Sequence, residues 1–154
     1  MNKRHFRITV LAVLLLWLGN TASAQQTAPK LTPPKLQSFW GFTKGGELPL
    51  EMVLNVLDSA VWAIDANKVR YPISRFMILF RSKDRFEDDE TGEIKSRFNS
   101  NVLQVKNNGF LPEQWRKQLF ENVKKEDELL IVDIIVRDKK GNFFKAPDIK
   151  IVVQ

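Results

Sequence analysis

The residues of this sequence that could do chemistry are mostly carboxylates. The chain has no cysteine and one histidine, His5, so Cys–His catalysis, cysteine-based zinc sites and disulfides are excluded. Two acidic features remain: the run from Glu87 to Glu90, and Asp133, which interrupts the aliphatic stretch LLIVDIIV. Clustered carboxylates can bind Ca²⁺, and paired carboxylates can hydrolyse a glycoside without histidine.

The acidic run does not have the pattern of an EF-hand calcium loop. No acid stands at the required offsets before Gly92, and such a loop needs its carboxylates at fixed positions. The run lies within a charged stretch, residues 82–101, that separates two apolar segments. We therefore predict a solvated hairpin loop that turns near Thr91 and Gly92, and no metal site.

Asp133 lies in a segment that is otherwise typical of a buried strand. Because successive side chains of a strand point to opposite faces, one face would be wholly apolar and belong in the core: Leu130, Val132, Ile134 and Val136. Asp133 and Arg137 would share the other face. An isolated buried carboxylate is costly, so we predict that Asp133 is structural, facing outward or hydrogen bonded, and that a basic residue of a neighbouring strand lies near it.

Hydrophobic periodicity predicts two short helices. The first covers about residues 49–57, with Pro49 in its first turn. The second begins in LPEQWRKQLFENV, where Pro112 suits a helix start and Glu113 suits the positive end of the helix dipole. The apolar stripe of the second helix is predicted to contain Trp115, Leu119, Phe120 and Val123.

Several short segments have the alternation of strands. AVWAI, at 60–64, reads as a buried strand, and the segment after Tyr71 places Phe76, Ile78 and Phe80 on one apolar face. VLQV, at 102–105, is predicted to be the returning strand, followed by an Asn-Asn-Gly turn at 107–109.

The chain is predicted to close with a hairpin. Asp138 to Asn142 would form the turn, with Gly141 able to adopt positive φ. Pro147 would stand at the start of a strand in which Ile149, Ile151 and Val153 alternate with polar neighbours.

The N-terminal segment has the composition of a secretory signal peptide. Lys3, Arg4 and Arg7 precede an apolar run from Ile8 to Leu18, and Ala22-Ser23-Ala24 provides a cleavage site after Ala24. The run is shorter than the roughly 20 residues of a membrane-spanning helix. We predict a signal peptide at 1–24, a proline-rich disordered spacer at 25–38, one domain at 39–154, and a protein secreted across the inner membrane into the periplasm without a membrane span.

Processing would change both charge and chemistry. The net charge of +6 falls by the three charges of Lys3, Arg4 and Arg7, and His5 leaves as well, so Ser–His–Asp catalysis is excluded. The remaining basic residues are scattered rather than clustered, and they include Arg75, Arg81, Arg97, Arg116, Lys124 and Lys139. We therefore predict no nucleic-acid partner.

The C-terminal segment EDELLIVDIIVRDKKGNFFKAPDIKIVV, residues 126–153, resembles the ending of the C-terminal domain of GldM, also called PorM, of gliding motility and type IX secretion. The positions that carry this resemblance are Asp127, Asp133, Ile134, Arg137, Gly141, Pro147 and Ile149. Earlier segments follow the order of the family, so the resemblance spans about residues 39–154.

This resemblance implies a mainly β fold, an Ig-like antiparallel β-sandwich with one or two short helices, that acts by protein contact in the periplasm. On that basis we expect a stand-alone, non-enzymatic interaction domain with no cofactor, serving as an accessory of a type IX secretion or gliding assembly in the envelope. Exposed sheet edges would accept a partner strand, and homo-oligomerisation through those edges stays open.

A second function is also open at this point. A carboxylate-dependent glycan-binding or hydrolytic protein would use Glu87 to Glu90 or Asp133 together with an exposed Trp40 or Trp62. The sequence does not establish the distance between any two of these carboxylates.

Overall fold

The computed structural model describes residues 32–106 and 108–154. The predicted signal peptide with its cleavage site at Ala24 lies outside the described residues, as do most of the predicted spacer and Asn107 of the predicted Asn-Asn-Gly turn. The first strand begins at Leu36, so regular structure starts within the segment 25–38 that was predicted to be a disordered spacer.

The described residues form nine strands and two short helices. In chain order they are β1 (Leu36–Trp40), β2 (Gly46–Leu48), α1 (Leu50–Leu57), β3 (Val61–Asp65), β4 (Arg70–Tyr71), β5 (Ile73–Glu87), β6 (Ile94–Lys106), α2 (Glu113–Asn122), β7 (Glu128–Arg137), β8 (Phe143–Lys145) and β9 (Ile149–Val153). The predicted mainly β composition with two short helices is confirmed.

The strands form two sheets. A three-stranded antiparallel sheet has the order β1-β3-β4, and a six-stranded sheet has the order β2-β9-β7-β5-β6, with β8 also paired to β7. The predicted β-sandwich-like architecture is confirmed. The β2–β9 pair is parallel, so the larger sheet is mixed rather than purely antiparallel.

The core lies against one face of the larger sheet. Trp40 of the smaller sheet, Val53 of α1 and Leu119 of α2 are fully or almost fully buried there, together with Phe76 and Ile78 of β5. The alternation predicted for β5 is thus confirmed, and so is the alternation predicted for the closing strand, in which Ile149, Ile151 and Val153 are buried. Apolar burial on this scale is the main stabilising contribution to such a domain.

One part of the stripe predicted for α2 is wrong. Leu119 and Val123 are buried, but Phe120 is 58% exposed. Residues four apart lie on one side of a helix, whereas Phe120 lies about 100° around from Leu119. Only a narrow side of α2 meets the core, so the stripe does not widen to include Phe120.

A β-bulge at Asp133 changes which side chains of β7 enter the core. Asp133 has φ +51, and β7 buries Leu129 and Ile131 before it but Ile134 and Val136 after it. Two residues of β7 lie there opposite one residue of β5, because the pairing passes from Met77–Val132 to Arg75–Ile135. An extra residue reverses the alternation of a strand. The prediction that Leu130 and Val132 face the core is therefore wrong, and for Ile134 and Val136 it is confirmed.

The side chain of Asp133 points outward from this bulge. Its Oδ2 lies 3.5 Å from Nη2 of Arg75 on the neighbouring strand, and its backbone N–H donates to Oδ1 of Asp148 at 3.2 Å. Aspartate tolerates the left-handed conformation better than most residues. Asp133 thus adopts the left-handed backbone conformation of the bulge, and its side chain pairs with Arg75 on the surface.

The predicted hairpin at 82–101 does turn near Thr91 and Gly92, but the rest of this segment, predicted to be a solvated loop, is strand. β5 and β6 pair continuously from Arg75–Lys106 to Glu87–Ile94, and only residues 88–93 form the turn. β7 pairs with β5 no further than Arg81. Beyond that point β5 and β6 continue as a hairpin, residues 82–100, which we call the arm.

Two of the predicted structural residues lie near the end of the chain, Gly141 in the closing turn and Pro147 between β8 and β9. Gly141 has φ +89, and its N–H donates to the carbonyl of Asp138 at 3.1 Å. Pro147 is exposed just before β9, where its missing N–H removes no bond of the sheet.

We expect substitutions at Asp133 to separate backbone geometry from charge. Asp133→Val should lower the free energy of unfolding by about 1–2 kcal/mol, because a β-branched residue is strained at positive φ. Asp133→Asn should cost less than about 1 kcal/mol, since it removes only a surface ion pair. Urea unfolding measures both values, and equal losses in the two variants would contradict this role of the bulge.

Candidate interaction surface

Asp88, in the acidic run, stabilises the turn of the arm. Its Oδ1 accepts hydrogen bonds from the N–H groups of Glu90 at 3.1 Å and Thr91 at 3.0 Å, and Lys95 donates to its Oδ2. The hydrogen bond from Lys95, followed by the bond from the Thr91 N–H, holds the pKa of Asp88 below its usual value. Asp88 therefore serves as a turn residue.

The two acidic features of the sequence lie far apart. Asp133 contacts Arg75 near one end of β5, and Asp88 follows the other end. At roughly 3.3 Å per residue, about 40 Å of strand separates the two positions, whereas glycosidase carboxylates stand about 5–10 Å apart. Asp88 and Asp133 cannot act on the same bond.

The surroundings of Asp133 and of Trp40 also differ from those of a glycan site. A second acid, Asp148, lies beside Asp133, but the two side chains are 34% and 49% exposed and have Arg75 and Lys145 as neighbours. Trp40, predicted to be exposed in that reading, is fully buried, and its indole N–H donates to the carbonyl of Ser59. That prediction is wrong because Trp40 fills the core.

Within residues 32–106 and 108–154, no three His, Cys, Asp or Glu residues are grouped so that they could hold a metal ion. In the same part of the chain, no helix is both long and apolar enough to cross a membrane.

Asp127 is the buried acid that anchors the base of the arm. Its side chain is fully buried, and its two carboxylate oxygens accept the N–H groups of Lys83 on β5 and Lys124 after α2, both at 2.9 Å. Its carbonyl accepts the N–H of Val153. One residue thus joins the arm, the α2 connection and the C-terminal strand. The sequence pattern showed Asp127 only as part of the family resemblance.

Ion pairs connect the outer side of the same region. Arg81 and Lys150 both bind Glu128 at 2.6 Å, linking β5, β7 and β9. Lys83 and Arg85 bind Glu126 at 3.1 Å and 2.6 Å, and their hydrogen bonds, that from Lys83 first, lower the pKa of Glu126. The cations of β5 in the arm are therefore already matched by acids.

The larger sheet has an outer face that no described element covers completely. Side chains directly opposite each other on paired strands share a face, so one row across β6, β5 and β7 contains Val102, Leu79 and Leu130. The next row contains Met77 and Val132, with the exposed, polar Gln104 on β6. Val102 is 56% exposed and the four other apolar residues are partly exposed, which makes most of this face apolar and accessible.

The strand at the end of that sheet, β6, is the most exposed element of the described chain. Ile94, Phe98 and Val102 are 77%, 41% and 56% exposed and share one face, with Ser96 and Ser100 between them. On its outward side, β6 pairs with no strand of the described residues. We call Ile94–Lys106 the β6 edge.

The opposite face of the β6 edge is basic. Lys95 binds Asp88, while the guanidinium of Arg97 lies 5.6 Å from the ring centroid of Phe86. Asp84 stands directly opposite Arg97 but binds Asn99 and Lys124 instead. The alternation of apolar and basic side chains along β6 is visible in the sequence. We did not infer an interaction surface from it because this segment was predicted to be a loop.

Comparison with known proteins adds no family assignment. No family model matches the chain, and no curated protein matches it at a significant level. The resemblance to the C-terminal domain of GldM therefore stays a prediction from the sequence.

We expect Asp127→Ala to lower the free energy of unfolding by about 2–4 kcal/mol, because two backbone N–H groups lose a charged, buried acceptor. Asp89→Ala is the matched control, since Asp89 is exposed and forms no ion pair with a described residue. Urea unfolding of both variants measures the difference. A loss in Asp127→Ala no larger than in the control would show that Asp127 does not anchor the arm.

Glu126 should contribute stability that depends on pH. Because its pKa is lowered in the folded protein, the contribution is present above the unfolded value of about 4.5 and is lost as the pH falls through the folded value. The difference in unfolding free energy between the wild type and Glu126→Gln should thus be constant near neutral pH and shrink below pH 4.5. Urea unfolding across this range tests it. Glu121→Gln, at an exposed position that forms no ion pair with a described residue, is the control for the loss of one negative charge.

Proposed function

We propose that this protein is a non-enzymatic protein-interaction domain that binds its partner through the β6 edge and the adjoining outer face of the larger sheet. The single observation that supports this most strongly is the exposed apolar column of Ile94, Phe98 and Val102 on a strand whose outward edge pairs with no described strand. Proteins usually protect such edges because they invite pairing with another chain.

The use made of the acidic residues favours binding over catalysis. Asp88 holds a turn, Asp127 anchors the arm, and Glu126 and Glu128 neutralise cations of β5 and β9. Asp133 lies on the surface beside Arg75. Each of these carboxylates has a structural partner, so we assign no reaction and no cofactor to this domain.

The setting that we propose is the periplasm. The signal-peptide pattern of residues 1–24 supports secretion across the inner membrane. The order of segments that resembles GldM, together with a mainly β sandwich-like fold, supports a role as an accessory of a type IX secretion or gliding assembly. The partner would then be a protein of the cell envelope.

A photo-crosslinking experiment in the native host tests the proposal. A photoreactive amino acid at Ser100 on the β6 edge should give a discrete adduct with an envelope protein, and the same group at Lys139 in the β7–β8 turn should not. Phe98→Ser should reduce the Ser100 adduct severalfold, because Phe98 supplies a large part of the apolar contact.

Phe143→Ser is the matched control for that variant. Phe98 is exposed and its ring centroid lies 4.5 Å from the guanidinium of Arg81. Phe143 is likewise an exposed phenylalanine beside an arginine, Arg137, but it lies on β8. Its replacement should leave the Ser100 adduct unchanged. Identical adducts from Ser100 and Lys139, or equal losses in the two phenylalanine variants, would contradict an interaction through the β6 edge.

A further inference from the structure

We infer that the partner of the β6 edge is an extended polypeptide segment that adds a strand to the larger sheet and alternates apolar with acidic side chains. This inference rests on the proposed function and specifies the chemistry of the partner. It commits to strand addition at one edge, between Ile94 and Val102.

The backbone of β6 is suited to strand addition. Its pairing with β5 shows no register shift from Ile94 to Lys106, and this range contains no proline. Proline, a bulge or a covering element is a common protection of a sheet edge. No described strand covers this edge, so the outward N–H and C=O groups of β6 form a regular row that a partner strand can match.

The outer face of β6 determines which kind of side chain fits on the same face of the partner strand. A residue paired with Ile94, Phe98 or Val102 lies on the same face as that side chain. Ser96 and Ser100 are small, so they leave space between the three larger side chains. Apolar side chains of the partner therefore fit this face, where they also approach Leu79 of β5.

The opposite face of β6 determines which kind fits on the other face of the partner strand. On this face β6 carries Lys95 and Arg97 and no acid, whereas Lys106 lies on the face of Val102. Lys95 binds Asp88, and Arg97 forms no ion pair with a described residue. Residues 1–31 contain no acid that could supply one. Partner residues opposite Lys95 and Arg97 share their face, so carboxylates at these positions would be attracted to Lys95 and Arg97.

A second copy of this chain is a poorer occupant of the same edge. Two paired β6 edges would bring Lys95 and Arg97 of one copy close to the same two cations of the other. Like charges brought together in this way repel each other. Charge complementarity thus favours an acidic strand over self-association.

Synthetic peptides test the inference directly on the processed protein. The probe is a labelled peptide of about nine residues that alternates valine with glutamate, since one residue pairs with each residue from Ile94 to Val102. Fluorescence anisotropy should show saturable binding, and a valine–lysine peptide of the same length should bind at least about tenfold more weakly. Amide hydrogen exchange should slow at alternate residues of β6.

Two further probes separate strand pairing from general stickiness. N-methylation of the valines or of the glutamates of the probe removes N–H groups from one edge of the peptide at a time. One of these two peptides should lose binding, because it cannot donate hydrogen bonds to β6. If neither peptide loses binding, strand addition is overturned.

Charge reversal on the protein completes the test. Arg97→Glu should weaken binding of the valine–glutamate peptide about tenfold and strengthen binding of the valine–lysine peptide. Arg137→Glu is the matched control, since Arg137 also lies over a phenylalanine ring but on β7. Equal binding of both peptides to wild type and to Arg97→Glu would overturn the inference.

The remaining outcomes distinguish this inference from the proposed function. If sedimentation shows a dimer that the Phe98→Ser substitution abolishes, a second copy occupies the edge and the acidic strand is overturned. If no peptide binds while the Ser100 adduct forms, the partner chemistry is wrong but the interaction domain stands. If the peptide binds while no adduct forms, the edge chemistry stands and the proposed envelope partner does not.

Discussion

The fold depends on one backbone constraint, the left-handed conformation of Asp133 in the middle of β7. β7 pairs with β5, β8 and β9, so both of its halves must present apolar side chains to the same core. A regular strand of this sequence could not do so, because Ile131 and Ile134 are an odd number of residues apart. The extra residue of the bulge turns the side chains of Ile134 and Val136 toward the core. Aspartate is tolerated at the bulge because its side chain points outward to Arg75.

A second polar centre connects this core to the arm. Asp127 joins β5 to the segment after α2 through two backbone hydrogen bonds, and Glu126 and Glu128 bind the cations of β5 and β9 around it. The arm continues beyond this centre without support from β7. A two-stranded ribbon is only marginally stable by itself, so the anchored base holds the β6 edge, where we propose that a partner binds.

The distribution of paired charges links structure to function. Most basic residues of the arm have an acid or an aromatic ring as neighbour, and most acids serve turns, anchors or ion pairs. These assignments leave the β6 edge with an apolar column on one face, Arg97 without an ion pair to a described residue on the other, and a row of backbone groups that no described strand pairs with. Such a surface is suited to binding an extended chain, and its chemistry follows from which charges the fold has already used.

The local sequence pattern alone predicted where some elements form and which of their faces are buried. The spacing of apolar residues predicted α1, and the alternation of Phe76, Ile78 and Phe80 predicted the buried face of β5. The tertiary structure decided what local pattern could not express. Whether residues 82–101 form a loop or two paired strands depends on pairing between distant segments. Whether Leu130 or Leu129 faces the core depends on one bulge. Phe120 is exposed because packing limits the covered side of α2. These outcomes depend on long-range contacts, because propensity and periodicity describe only neighbours along the chain.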